Sequence, residues 1–444
     1  MITASHISPL FADLYELTMA ASYFQQKSFA RATFSLFIRD TVARNYFVAA
    51  GLEEVLAALE SFHFSPEEIE YLNQTRMFSA DFIQHLESLK FTGNVYALPE
   101  GTVFFANEPI LEVTAPIMEA QLIETYLINT IGSQTIFCSK AARCVHAAKG
   151  RPLIDFSLRR THGQDAGLKV ARSAVIAGFA GTSNVLAGKQ FGVPVSGTMA
   201  HSYVSTFAHE IDAFYAYAKT FPDNSVFLID TYDTIQGAKN AAEVGLDMKR
   251  RGYDLIGIRL DSGDMAELST RVRKILDEAG LVNVKIYASS GFDEFEIDDL
   301  ITKGAKIDAF GVGTKVGVSA DAPYLDIVYK LVKFNSRNVR KLSPGKVTLA
   351  GDKQVFRKRV DGHMVEDIIG LRNETIPDTV PLMIPVMKDG KRIVENPSLE
   401  SIQACFKANF TALPERFKSI YDINRFPVRL SEQLIEVQKE NDSP

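Results

Sequence analysis

The chain has 444 residues, 46% hydrophobic and 23% charged, a composition that excludes a disordered, fibrous or coiled-coil protein and suggests about two or three globular domains. Its net charge of −6 disfavours a nucleic-acid binder. The charge is uneven, however: from Cys138 to Arg172 eight basic residues face two acidic ones, a local +6 that leaves −12 on the rest and hints at an anionic ligand.

Residues 1–150 open with Ser8-Pro9, an N-cap followed by proline at the first helical position, and Leu10, Leu14, Leu17 and Ala21 then line one helical face. The segment from Met1 to Leu10 lacks the basic and apolar regions of a signal peptide. No apolar run approaches the ~20 residues of a membrane span. Cys138, Cys144 and Cys405 fit neither a disulfide framework nor a metal spacing, so a cytoplasmic protein without membrane contact is expected. Short β-like runs follow at 32–38, 95–98, 103–105 and 110–113. A long helix is expected over 116–149, broken near Gly132.

Residues 151–330 hold 18 of the 28 glycines and alternate between strand-like and helical patterns. Strands are expected at 153–156, 195–198, 226–230, 255–260, 284–288 and 309–312. Helices are expected near 166–179, 202–220, 235–250, 265–279 and 294–303. Repeated βα units mean a parallel sheet, either a barrel or an open doubly wound sheet. Residues 331–444 return to β patterning, with hairpins expected around Asp361-Gly362 and Asp389-Gly390. These antiparallel strands cannot extend a parallel barrel and are expected to join the N-terminal strands in a second domain.

Every polar cluster of the middle zone follows a strand. In either topology the strand carboxyl ends share one face, where ligands bind. Ser289-Ser290-Gly291 and Gly311-Val312-Gly313-Thr314 can present backbone N–H groups to a phosphate, or they are simply tight βα turns; two consecutive clusters favour phosphate. Neither a dinucleotide fingerprint nor a Walker A motif is present. Arg159, Arg160 and Arg259 can fork onto carboxylate or phosphate oxygens, although Arg259 could instead pair with Asp261. Asp230, Asp261 and Asp264 could hold Mg²⁺ or ribose hydroxyls. His201, just before a helix on the same face, can serve as acid, base or nucleophile near neutral pH. Tyr15 lies off the apolar stripe of the first helix, and spacing alone gives it no function. The face suits a phosphorylated, sugar-like anion and a metal.

Phe11-Ala12-Asp13-Leu14-Tyr15, Phe156-Ser157-Leu158-Arg159-Arg160, Gly197-Thr198-Met199-Ala200-His201-Ser202, Arg259-Leu260-Asp261-Ser262-Gly263-Asp264 and Gly311-Val312-Gly313-Thr314 together resemble the nicotinate phosphoribosyltransferase family, in the family's order from about residue 8 to beyond 420. The resemblance implies a type II phosphoribosyltransferase fold: an α/β protein with an incomplete parallel α/β barrel, similar to a TIM barrel, and an α/β sandwich built from both chain ends. It implies the conversion of nicotinate and phosphoribosyl pyrophosphate to nicotinate mononucleotide and pyrophosphate, coupled to ATP hydrolysis, with Mg²⁺ as cofactor. His201 would be the catalytic residue and a transient phosphohistidine. Thr198, Arg259 and Tyr15 would hold nicotinate, Tyr15 from the neighbouring subunit of a homodimer. Arg160, Asp261, Ser290, Gly291, Gly313 and Thr314 would bind phosphoribosyl pyrophosphate. The competing readings are a nicotinamide phosphoribosyltransferase and a barrel lyase or isomerase acting on a sugar phosphate. For the latter, Lys315 is the one lysine near a strand end that could form a Schiff base.

Overall fold

A computed structural model describes residues 8–40, 44–343 and 346–441. The architecture is mixed α/β and divides into two compact units, residues 140–321 and residues 1–139 with 322–444. No helix among the described residues is long and apolar enough to cross a membrane.

The unit of residues 140–321 is built on six parallel strands: β1 (Leu153–Asp155), β2 (Gly181–Thr182), β3 (Val226–Leu228), β4 (Gly257–Leu260), β5 (Lys285–Ser289) and β6 (Ala309–Val312). Their spatial order is β2-β1-β6-β5-β4-β3. The pairing runs Asp155 beside Val312, Gly311 beside Ser289, and Ala288 beside Leu260. Such strands are buried by the helices of the βα crossovers, which is why they read as apolar runs; β6 is buried throughout. The loops after the strands supply the helix caps. Asn184, Asp233, Asp264 and Asp293 each accept a backbone N–H of the helix that follows.

Two expectations for this unit change. Residues 195–198 form no strand: Val195 makes a single parallel bridge to Thr182, and β2 lies at Gly181–Thr182 instead. Pro194 has no N–H for a ladder; its carbonyl accepts from Thr182, the Ser196 N–H donates to the Thr182 carbonyl, and the pairing ends at that one bridge. The helix expected over 202–220 is two, His201–Val204 and Glu210–Thr220.

The other unit carries a seven-stranded antiparallel sheet drawn from both chain ends. Arg31–Ile38 sits between Ile327–Phe334 and Pro109–Pro116, and Ile384–Lys388 pairs with Asn94–Ala97. Phe34 stacks on Tyr329 at 4.7 Å across that junction. In a second sheet, Lys353–Val360 and His363–Leu371 form a hairpin through Asp361-Gly362, both with positive φ, the geometry that asparagine, aspartate and glycine tolerate in a two-residue turn. The long helix breaks at Ile123, between Ile117–Leu122 and Glu124–Ala147, and not at Gly132. Gly132 is a packing glycine: a Cβ there would lie 3.2 Å from Ile327.

One carboxylate in this unit is unusually placed. Glu16, on the helix Leu14–Gln25, is wholly buried; Oε1 accepts from the backbone N–H of Thr125 at 3.1 Å and from its hydroxyl, while Oε2 has no partner among the described residues. Burial, with the nearby charge of Glu124, pushes its pKa up to about 7. The folded state therefore binds this proton more tightly than the unfolded chain. The stabilisation is full below the unfolded value of 4.5 and is lost as pH rises through about 7. Urea unfolding between about pH 5 and 7 should show stability falling with a steeper slope in the wild type than in Glu16→Gln; equal slopes would refute the assignment.

Candidate active site

The strand carboxyl ends of the parallel sheet open into a cleft of about 470 Å³, within the range of small-ligand sites. At the end of β1, the buried Asp155 accepts from the Ser157 N–H at 2.9 Å and the Thr182 hydroxyl at 2.7 Å, which fixes the start of the turn carrying Arg159 and Arg160. The ring of Phe156 then crosses to β6. A Cβ at Gly311 would lie 2.5 Å from that ring, so glycine is the residue that lets the two strand ends approach.

Arg159, Arg160, Thr198, His201, Arg259, Asp261, Ser290, Gly313 and Thr314 all line the cleft. Gly291 adjoins Ser290 but is not among the lining residues, and Tyr15 belongs to the other compact unit. Asp264 is a helix cap: Oδ1 accepts from Ala266 and Glu267 at 3.0 and 3.1 Å. The lining also includes Ser183, which motif reading passed over. A further missed residue is Thr231, directly after Asp230. Its position after a strand end was the available signal.

Arg259, near the end of β4, organises the centre. Its Nη1 donates to the Thr198 hydroxyl at 2.6 Å, its guanidinium carbon lies 6.0 Å from the Phe156 ring centroid, and its buried Nε has no partner among the described residues. Among the described residues no carboxylate forms an ion pair with it. Burial pushes its pKa below the ordinary arginine value, against the opposing pull of Asp261 and Asp230. Asp261 does not close onto Arg259. Its Oδ1 accepts from the Ser289 hydroxyl at 2.5 Å, and Oδ2 lies 3.7 Å from His201 Nε2. Asp230 holds that turn from behind, accepting from the Asp261 N–H at 2.9 Å and the Ser262 hydroxyl at 2.6 Å. The other ring nitrogen of His201, Nδ1, is 3.1 Å from the Thr231 hydroxyl. The imidazole is thus hydrogen-bonded on one side and faces the Asp261 carboxylate on the other.

The lining carries three arginines and one histidine against the single carboxylate of Asp261, so the cleft favours anions. Among the described residues no group of three or more histidine, cysteine, aspartate or glutamate side chains could hold a metal. That donor set does not make an all-protein cage. It does suit Mg²⁺, which keeps waters and substrate phosphate oxygens and needs only one or two carboxylates.

Three family models match the chain: the nicotinate phosphoribosyltransferase N-terminal domain over residues 10–132, the nicotinate phosphoribosyltransferase family over 152–359, and the C-terminal domain over 377–438. The nicotinate phosphoribosyltransferase pncB2 of Mycobacterium tuberculosis is 44% identical over 438 residues, covering 98% of this chain and 94% of that protein. The nicotinate phosphoribosyltransferase of Bacillus subtilis is 41% identical over 456 residues, covering 95% and 93%. The crystal structure of human nicotinic acid phosphoribosyltransferase superposes with a TM-score of 0.86 at 27% identity, over 96% of this chain and 99% of that one.

Because Gly311 is where Phe156 crosses β6, Gly311→Ala should force the ring aside. The expected result is a loss of about 1–3 kcal/mol in urea unfolding, together with weakened anion binding in the cleft by calorimetry. Unchanged stability and binding would show that the close approach is dispensable.

Proposed function

The chain belongs to the nicotinate phosphoribosyltransferase family, and from that premise we propose how its cleft carries the reaction. The reaction joins nicotinate to phosphoribosyl pyrophosphate, releases pyrophosphate and forms nicotinate mononucleotide, the step that takes nicotinate into NAD biosynthesis. The six parallel strands, ordered cyclically around β1 with the lone Thr182–Val195 bridge beyond β2, support the incomplete-barrel reading. The unit made from both chain ends supports the sandwich.

The observation that carries the assignment is the state of Arg259. A half-buried guanidinium whose buried Nε–H is unused and whose partner is a hydroxyl lacks the anion such a group needs. The nicotinate carboxylate would supply it, with Thr198 alongside, whereas a neutral amide would gain less. Nicotinate so held presents its ring nitrogen to C1 of the ribose. Ser290 and Gly291, with Gly313 and Thr314, would take the 5′-phosphate, and Arg160 would face the pyrophosphate. Asp261, fixed by Ser289, would bind the ribose side of the substrate and help to hold Mg²⁺ on it. When bound there, Mg²⁺ would neutralise charge on the departing pyrophosphate.

His201 is the proposed acceptor of the ATP γ-phosphoryl group; the Thr231 hydroxyl and Asp261 orient its ring, and hydrolysis of the phosphohistidine returns the free imidazole. Tyr15 is the proposed stacking partner of nicotinate, contributed by the second subunit of a homodimer. The helix that bears it leaves Leu14 53% and Tyr15 45% exposed, which supports a partner surface there. Cys138, Cys144 and Cys405 form no disulfide, in keeping with the proposed reducing, cytoplasmic setting. The lyase or isomerase reading is not favoured, because Lys315 is engaged by Glu296 and is not among the residues that line the cleft.

Purified protein should form nicotinate mononucleotide from nicotinate and far less product from nicotinamide. Arg259→Met should lower kcat/KM for nicotinate by roughly 10- to 100-fold while narrowing the preference over nicotinamide. Equal rates on the two bases in the wild type would overturn the assignment. His201→Ala should abolish ATP hydrolysis coupled to product formation and leave a slow ATP-independent synthesis, read by parallel ADP and nucleotide assays. Intact coupling in that variant would remove the phosphohistidine.

A further inference from the structure

The loops after β5 and β6 leave adjacent parallel strands, paired as far as Ser289 and Gly311. Beyond that pair, a chain of charged side chains ties them together. Lys315, the residue after Gly313-Thr314, bonds to Glu296 and lies 3.8 Å from Asp293 Oδ2. Asp293 and Glu296 form the capping box of the helix Glu294–Thr302, which begins just after Ser290-Gly291. Asp293 Oδ2 is also 3.3 Å from Lys140 Nζ. Lys140 is fully buried and meets Glu294 at 2.5 Å and Asp321 at 3.0 Å, and Glu294 is gripped again by Arg143 at 2.7 Å.

We propose that Lys315 is a positioning residue for phosphoribosyl pyrophosphate: by clamping the loop after β6 to the capping box after β5, it sets the spacing of the two phosphate loops before the substrate arrives. The inference rests on the reading of those loops as the phosphate site. Its physical basis is that one end of the clamp is anchored in a buried ion network, where satisfied charges are stiff. The other end, one third exposed at Lys315, stands directly after the loop it holds. Burial alone would raise the Glu296 pKa, yet the hydrogen bonds of Asp293 and Lys315 hold it at about 2, so the contact persists across the working pH range. The charge of Lys315 is already committed to carboxylates, which separates it from a direct phosphate ligand. Setting the loop spacing in advance spares the substrate the cost of ordering two loops at once.

The test is steady-state kinetics on four variants with thermal melts as a folding control. Lys315→Met should raise KM for phosphoribosyl pyrophosphate roughly ten-fold, with kcat and KM for nicotinate within about two-fold of wild type. Lys315→Arg, which can still reach Asp293 and Glu296, should restore the wild-type KM. Glu296→Gln should also raise it; tighter binding in that variant would mean that the freed lysine contacts phosphate directly, and would overturn the clamp. Gly313→Ala, whose Cβ would sit 3.2 Å from the Phe156 carbonyl, is the control for the underlying reading. If Gly313→Ala raises KM for phosphoribosyl pyrophosphate and Lys315→Met does not, the clamp is wrong and the phosphate site stands. If neither changes it, the phosphate site itself is misassigned and the clamp falls with it.

Discussion

A single guanidinium without an anion governs the chemistry of this cleft. Placing Arg259 at a strand end costs desolvation, and the fold returns only the Thr198 hydroxyl and the face of the Phe156 ring. A nearby carboxylate could have neutralised it, but Asp261 is held by Ser289 and Asp230 draws the Asp261-Ser262 turn toward itself. The acids are therefore held off the arginine by hydrogen bonds of their own, through Asp261 Oδ1 and Asp230 Oδ2. A stronger internal pairing would stabilise the fold and remove the preference for a carboxylate ligand.

The rest of the cleft follows from how closely β1 and β6 approach. Gly311 admits the Phe156 ring, and Phe156 lies under Arg259. The turn fixed by Asp155 then sends Arg159 and Arg160 to the rim. Cationic groups thus come from the loop after β1 and from the end of β4 itself, while the backbone loops come from β5 and β6, an arrangement that fits parallel sheets whose ligands sit at the carboxyl ends.

Most of this was legible because polar clusters directly follow apolar runs, and periodicity locates the runs well. Periodicity failed where strands are very short. β2 has two residues, Gly181-Thr182, with no pattern to detect, while Val195, in a β-branched stretch beside Pro194, looked like a strand and makes one bridge. Gly132 looked like a helix break because glycine weakens helices, but a tertiary contact with Ile327 explains it, and the break lies at Ile123. Within the site, charged and glycine-rich motifs were visible, while Thr231 was not. A single hydroxyl beside His201 has no sequence signature apart from following a strand. Asp264 shows the converse, a motif residue whose carboxylate serves the backbone of its own helix.

The basic stretch from Cys138 to Arg172 shows why local charge is a weak guide to a ligand. Of its eight cations, Arg159 and Arg160 line the cleft. Lys140 and Arg143 are buried against Glu294, Lys149 pairs with Asp298, and Lys169 with Asp165. Arg151 donates to the Ile307 carbonyl, and Arg172 is buried. For Lys140, Arg143 and Lys149 the excess is met by acids elsewhere in the chain, brought close by the fold, and for Lys169 by an acid one helical turn away. The cleft is cationic for a different reason: its lining combines two residues of this stretch with Arg259 and His201 and admits only Asp261 in opposition. A local potential of this kind can draw in anionic substrates while the molecule as a whole stays negative.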